Sequence, residues 1–261
     1  MPIQNPYYRI IRPNHRDHQN FNKWYKGVNN NFILDERYSN ERISLVKAFK
    51  LIENDLLQIF NYVEPSDQNE RAYSHRIYEL FLRSCIEVEA NCKAILNANR
   101  YSKLDRNGKI TDRWDMNDYK KINRASKIGR YEVFIESWRP NKFKILPFNN
   151  WQNNESLEWY QSYNEVKHNR EENFEKANFK NLIVSVAGLF AVLFSQFYTF
   201  VYNPTCNIGF LMDDSGTYLS SETSIFSIKL PDFNEDEMYD FNWTELKNDP
   251  EPFQKFDFNS I

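Results

Sequence analysis

Between Leu182 and Phe194 no side chain is more polar than Ser185. A helix that is apolar on every side cannot be left in water, so the rest of the chain has to surround it. The clean run is thirteen residues long, short of the ~20 that a bilayer requires and in the length range of a buried core helix. Ser195 and Gln196 interrupt it before a further aromatic stretch. The sequence therefore predicts a central helix wrapped by protein, with no membrane role.

Two amphipathic segments are suited to do the wrapping. In "SNERISLVKAFKLIENDLLQIFNYV" the apolar positions Ile43, Val46, Phe49, Ile52, Leu56, Ile59 and Phe60 recur at threes and fours, with Ser39 or Asn40 as N-cap. In "ERAYSHRIYELFLRSCIEVEANCKAILNANR" a near-heptad of Ile77, Phe81, Cys85, Val88, Cys92 and Ile95 faces one way. Arg76, Glu79, Arg83 and Glu87, with the pair Glu89/Lys93, form a charged ladder on the solvated side. Six Gly and ten Pro in 261 residues is sparse punctuation, which favours long helices over a many-turned β sandwich. The expected fold class is mainly α: an antiparallel helix bundle with a small β-containing insert and a C-terminal extension containing a strand.

The chain divides into an arm at 1–34, a helical domain at 35–202 with an insert at about 101–150, and an extension at 203–261. The arm mixes cations with aromatic rings (Tyr7, Tyr8, Arg9, Arg12, His15, Arg16, His18, Trp24, Tyr25), a pattern that suits nucleic acid or, more ordinarily, a segment draped over the core. The insert reads as a turn at "DRNGKITD", a short helix at "WDMNDYKKINRASKI", and strands at "YEVFIESW" and "KFKILPF". From Arg100 to Lys144 it carries thirteen Lys/Arg against six Asp/Glu, so an anionic ligand would be steered there. From Val201 onward twelve Asp/Glu face three Lys/Arg. That extension also holds the strand "TSIFSIKL" and, in the roughly thirty residues after it, seven aromatics, Phe233, Tyr239, Phe241, Trp243, Phe253, Phe256 and Phe258, more than a solvating tail needs. Docking on the basic body or on a protein partner is expected of it.

Three cysteines are an odd number, and Cys85 and Cys92 are separated by ~10 Å along one helix, beyond disulfide reach. With no apolar leader at the N-terminus, a reducing, cytoplasmic setting is expected. There is no Gly-rich phosphate loop, dinucleotide fingerprint, His-Glu-x-x-His, Cys-x-x-Cys or Gly-x-Ser-x-Gly. The four histidines show no metal-ligand spacing, so neither metal nor cofactor is expected.

What remains is "YNEVKHNR", residues 163 to 170. On a helix Asn164 and His168 share a face, with Glu171 and Glu172 one turn later, while Trp159, Tyr163, Val166 and Phe174 point to the core. An imidazole beside an amide and a carboxylate can work as a general acid or base near neutral pH; the same group can also serve as a polar cap over a helix crossing.

The helix "FLRSCIEVEANCKAIL", an insert, and then "WYQSYNEVKHNREENFEKANFKNLIVSVAGLFAVL" resemble the HEPN superfamily of small helical domains, over roughly residues 40 to 100 and 155 to 202. The resemblance implies a metal-independent endoribonuclease of bacterial defence or toxin–antitoxin type. Two protomers would pair an Arg-polar-x-x-x-His motif from each, the histidine moving protons and the arginine holding phosphate. Carried over, the polar position is Asn164 and the histidine is His168, but Tyr163 stands at the arginine position. A fixed cation in an oxyanion-type site is worth ~3 kcal/mol or more. Lys167, Arg170 or Arg83 would have to supply it, in a homodimer acting on RNA or nucleotide. The alternative is a non-catalytic binding or protein-interaction module of the same fold.

Overall fold

The computed structural model describes residues 2–15, 30–205, 210–212 and 218–260. Four long helices carry the fold: α1 (Arg42–Phe60), α2 (His75–Ala98), α3 (Glu158–His168) and α4 (Phe179–Phe197). Every residue of α4 from Val186 to Phe197 is buried. By length and composition the segment Phe179–Val201 could cross a bilayer, yet 94% of its most apolar window is buried inside the fold. The enclosure that its all-round apolarity demands is supplied by the chain itself.

Contacts give the helix directions. Ser84 and Ser185 meet at 2.5 Å, and Gln196 Nε2 donates to Asn91 Oδ1 at 3.0 Å, so α2 and α4 run the same way. Phe49 stacks on Phe190 at 5.6 Å between centroids, and Phe60 meets Phe179 at 5.9 Å, so α1 runs opposite to α4. Tyr160 reaches Glu89 while Tyr163 reaches Phe81, so α3 opposes α2. The near-heptad of α2 is buried at every position anticipated, from Ile77 to Ile95. On α1 the pattern holds for Val46, Phe49, Ile52, Leu56 and Ile59, but Ile43 is exposed, because α1 begins only at Arg42 and its first turn overhangs the core. The N-cap is Glu41 rather than Ser39 or Asn40, and no side chain caps the helix.

The strand expectations resolve into two sheets. A two-residue ladder joins β1 (Lys103–Leu104) to β2 (Ile110–Thr111) around the "DRNGK" turn, where Gly108 takes a φ of 75°. Insert strands β3 (Glu132–Ile135) and β4 (Phe143–Ile145) pair antiparallel, and β3 pairs on its other edge with β7 (Phe226–Lys229) of the C-terminal extension. With β5 (Leu211–Met212) and β6 (Tyr218–Ser220), the order is β4-β3-β7-β6-β5. Insert and extension thus share one sheet. Its inner face presents Val133, Ile135, Phe226 and Ile228, all buried, and Phe226 stacks on Phe190 at 5.5 Å. The observed fold is mainly α, with this five-stranded antiparallel sheet laid on α4.

The arm and the extension lock together. Ile3 and Asn14 each bridge to Tyr239, and the Tyr239 hydroxyl donates to Ile10 O at 2.7 Å. Arg12 donates to Ala125 O and Glu237 O and lies over the rings of Tyr7 and Phe233. Arg9 is buried, bonded to Gln196 Oε1 and Glu41. These two arginines are therefore structural, and in the described part of the arm the draped reading holds; Arg16, His18, Trp24 and Tyr25 lie outside the described residues. Of the seven aromatics that follow "TSIFSIKL", Phe233, Tyr239, Trp243, Phe253 and Phe258 are buried in the same molecule.

Two measurements test this packing. Phe190→Ala removes the ring between Phe49 and Phe226, so urea denaturation should show a loss of about 3–5 kcal/mol. Burial alone would raise the Glu237 carboxyl, but Lys127, bonded to it at 2.5 Å, holds it below its usual 4.5. A depressed carboxyl stabilises the fold above its unfolded value, and that contribution is lost as pH falls through the folded one. Lys127→Met should therefore lower the melting temperature near about pH 7, and its effect should shrink as the pH is lowered through the depressed value of Glu237 in the parent, where the carboxyl takes up its proton.

Candidate functional site

Helix α3 stops inside the "YNEVKHNR" stretch. Asn169 leaves helical geometry (φ −143°, ψ 79°), its side chain donates to Glu172 Oε2 at 2.6 Å, and its carbonyl accepts from Asn173 Nδ2 at 2.9 Å. Residues Arg170–Asn173 start a separate helical turn. Glu171 and Glu172 accordingly do not continue the Asn164/His168 face. The Asn side chain competes with the helix for hydrogen bonds and wins at this point.

Tyr163, at the position where an arginine is expected, is 1% exposed. Its ring meets Phe81 and Tyr160, burial pushes its hydroxyl pKa up, and that hydroxyl accepts from Lys167 Nζ at 3.2 Å. Lys167 lies 5.0 Å from the same ring, so it is partly held by it. Arg83 is not brought to α3: it pairs with Asp55 at 2.7 Å and lines a groove between α1 and α2. The charged ladder on α2 is likewise rearranged. Arg76 does pair with Glu79 at 3.3 Å, but Glu89 accepts from the Tyr160 hydroxyl and Lys93 sits over Trp114.

Arg170 lies 5.6 Å from the Tyr78 ring. Tyr78 belongs to a cluster around Phe174 that also holds Tyr73 and His75, with His75 4.9 Å from Phe174 between centroids. His168 is exposed at the last residue of α3 and has no hydrogen-bond or ion-pair partner among the described residues. It is not sealed as a polar cap over a helix crossing.

Asn164 lines a solvent-open cavity of about 290 Å³ along the same side of α3. Leu157, Tyr160, Gln161 and Asn164 form one wall; Trp151, Glu155 and Ser156 form the adjoining turn; Asp115, Met116, Asn117 and Lys120 of the insert stand opposite. Residues 157, 161, 164 and 168 follow a helical stripe, so His168 is the next position beyond the cavity. At 1.5 Å per residue it lies about 6 Å along the axis from Asn164. The cavity therefore unites Asn164 with Lys120 of the basic insert, and His168 stands one turn of α3 outside its lining.

Charge in the cavity is mixed. Asp115 is exposed, and although partial desolvation alone would raise it, Lys103 and the Asn117 amide hold it below the usual carboxylate value. Tyr160 stays protonated because burial, and then the neighbouring Glu89 that its hydroxyl bonds at 2.5 Å, push its pKa up. Glu155, Gln161 and Asn164 make no side-chain hydrogen bond or ion pair with any described residue. Among the described residues no group of three or more His, Cys, Asp or Glu could hold a metal, and Cys85 and Cys92 are buried free thiols with raised pKa.

Gln161 was within reach of the sequence, lying on the Asn164 stripe. Lys120, Glu155 and Trp151 were not, since only the folded insert brings them to α3. His75 carried no local signal either.

The Tyr160–Glu89 bond ties the cavity wall to α2. Tyr160→Phe should leave the carboxylate without its donor and cost about 1.5–3 kcal/mol in chemical denaturation, the usual range for a bond to a charged group.

Compared with models of protein families, with curated proteins and with solved structures, the chain shows no match to any of them.

Proposed function

We propose that this chain is an HEPN-like RNA-cleaving protein of the bacterial defence or toxin–antitoxin kind, working as a homodimer without metal. The observation that carries the reading is His168: an exposed imidazole, unpaired among the described residues, one turn beyond the Asn164 that lines a polar cavity. An imidazole can both take and give a proton, which cleavage through a ribose 2′-hydroxyl needs. Asn164 would position the substrate. Phosphate charge would fall to Arg170, two residues beyond His168 and without an acidic partner among the described residues, with Lys167 contributing from the preceding turn. A second protomer would bring a second copy of each group. Arg83 drops out of this set, because Asp55 already neutralises it.

Tyr163 favours a second reading, a non-catalytic module that binds RNA, nucleotide or a protein partner. A buried phenol stands where the cation is expected, and it holds Lys167 against its own ring. Competition by the acidic extension for the basic insert finds some support in the Lys127–Glu237 pair. The burial of its aromatics in its own molecule leaves less of it to reach a partner.

Incubating purified protein with mixed-sequence RNA in chelator separates the two. Cleavage that falls about 100-fold or more in His168→Ala is expected if the imidazole transfers protons. Intact RNA with every sequence tried, alongside retained RNA binding, would transfer the case to the second reading.

A further inference from the structure

We infer that the cavity beside Asn164 is a nucleobase site, and that the base it takes is guanine. The inference rests on the RNA reading above, and it adds what the cavity itself recognises.

Size comes first. A volume of about 290 Å³ lies at the low end of the ~300–1,000 Å³ of small-molecule pockets, room for one heterocycle rather than a dinucleotide. Trp151 and Tyr160 line the cavity, and each is largely buried, so they give it a fixed aromatic wall against which the edge of a heterocycle can rest. Because the Tyr160 hydroxyl is committed to Glu89, only its ring is left for a ligand.

The polar groups then choose the base. Glu155 brings a carboxylate with no partner among the described residues, an acceptor for two neighbouring N–H groups. Gln161 and Asn164 bring amides in the same state, and Lys120 brings an ammonium whose one bond, to Asn154 O, is long at 3.4 Å. Guanine alone among the four bases sets adjacent N1–H and N2–H donors on one edge and O6 and N7 acceptors on another. The carboxylate matches the first edge, and the amides with the lysine match the second. Adenine and cytosine present an acceptor beside their amino group, which would face Glu155 lone pair to lone pair. Uracil has a single N–H between two carbonyls.

The wall charges also bear on where the phosphate goes. Asp115 is already paired with Lys103, and Glu155 on the wall repels an anion, so the phosphate attached to a bound guanosine lies outside the cavity. The cations beside His168 at the end of α3 are Arg170 and Lys167, the latter held by Tyr163. The base pocket would thereby set the register of the strand, putting the phosphodiester following a guanosine next to the imidazole.

Nucleosides alone test the pocket, with no cleavage required. The intact protein should bind guanosine, followed by saturation-transfer NMR or calorimetry, about tenfold or more tighter than adenosine, cytidine or uridine. Inosine, which lacks the N2 amino group, should fall between. Gln161→Ala/Asn164→Ala should weaken guanosine by about tenfold or more, with circular dichroism reporting that it folds. Glu155→Gln should erase the preference over inosine. Equal or undetectable binding of all four nucleosides to the parent protein would overturn the site, and so would undiminished guanosine binding by a folded double variant. The two proposals fail separately: RNA cleavage without guanosine binding discards only the pocket, and guanosine binding without cleavage discards only the nuclease.

Discussion

Enclosure of α4 is the constraint on which the rest depends. A helix apolar around its whole circumference leaves no side for water, so α1, α2, α3 and a sheet must all be laid against it. The Phe49–Phe190–Phe226 stack shows the outcome at one level of the core, with a ring from α1, one from α4 and one from β7 in sequence. Even the polar atoms near the end of α4 are enclosed. Gln196 joins Asn91 of α2 to Arg9 of the arm, and Ser195 O accepts from Ile11 N. Buried amides of this kind are stable only when each is paired, so the arm is seated by hydrogen-bonding need as well as by its rings.

That need explains why the two ends of the chain behave as parts of the core. The composition of the extension is acidic, yet Tyr239, Trp243, Phe253 and Phe258 are buried against the arm and the helices. Its β7 completes a sheet begun in the basic insert. Local charge contrast contributes through Lys127 and Glu237, while most of the attachment comes from aromatic burial, which is larger per residue than a partly exposed ion pair.

The candidate site lies where this enclosure is incomplete. α3 covers α4 with Trp159, Tyr163 and Val166, and its opposite stripe of Gln161, Asn164 and His168 is left to the cavity and to solvent. Asn169 then breaks the helix, so the imidazole stands at a free end rather than inside a bundle. The same packing puts Tyr163 inside and Arg83 beyond reach, and that leaves Lys167, held by Tyr163, and Arg170 as the cations flanking His168 without an acidic partner among the described residues.

By itself the sequence determined the buried central helix, the inward faces of α1 and α2, the strands of the insert and of "TSIFSIKL", and the placing of Asn164 and His168 on one side of a helix. Each of these follows from periodicity or side-chain character within a single segment, and such signals are local. Tertiary structure alone decided which strands pair, since β3 and β7 stand about ninety residues apart in the chain. It decided that Glu89 bonds Tyr160 instead of Lys93, and that Arg83 turns to Asp55. It also assembled Lys120, Glu155 and Trp151 opposite Asn164. A charged or polar side chain has many partners within reach along a helix, and only the neighbours brought by folding select among them.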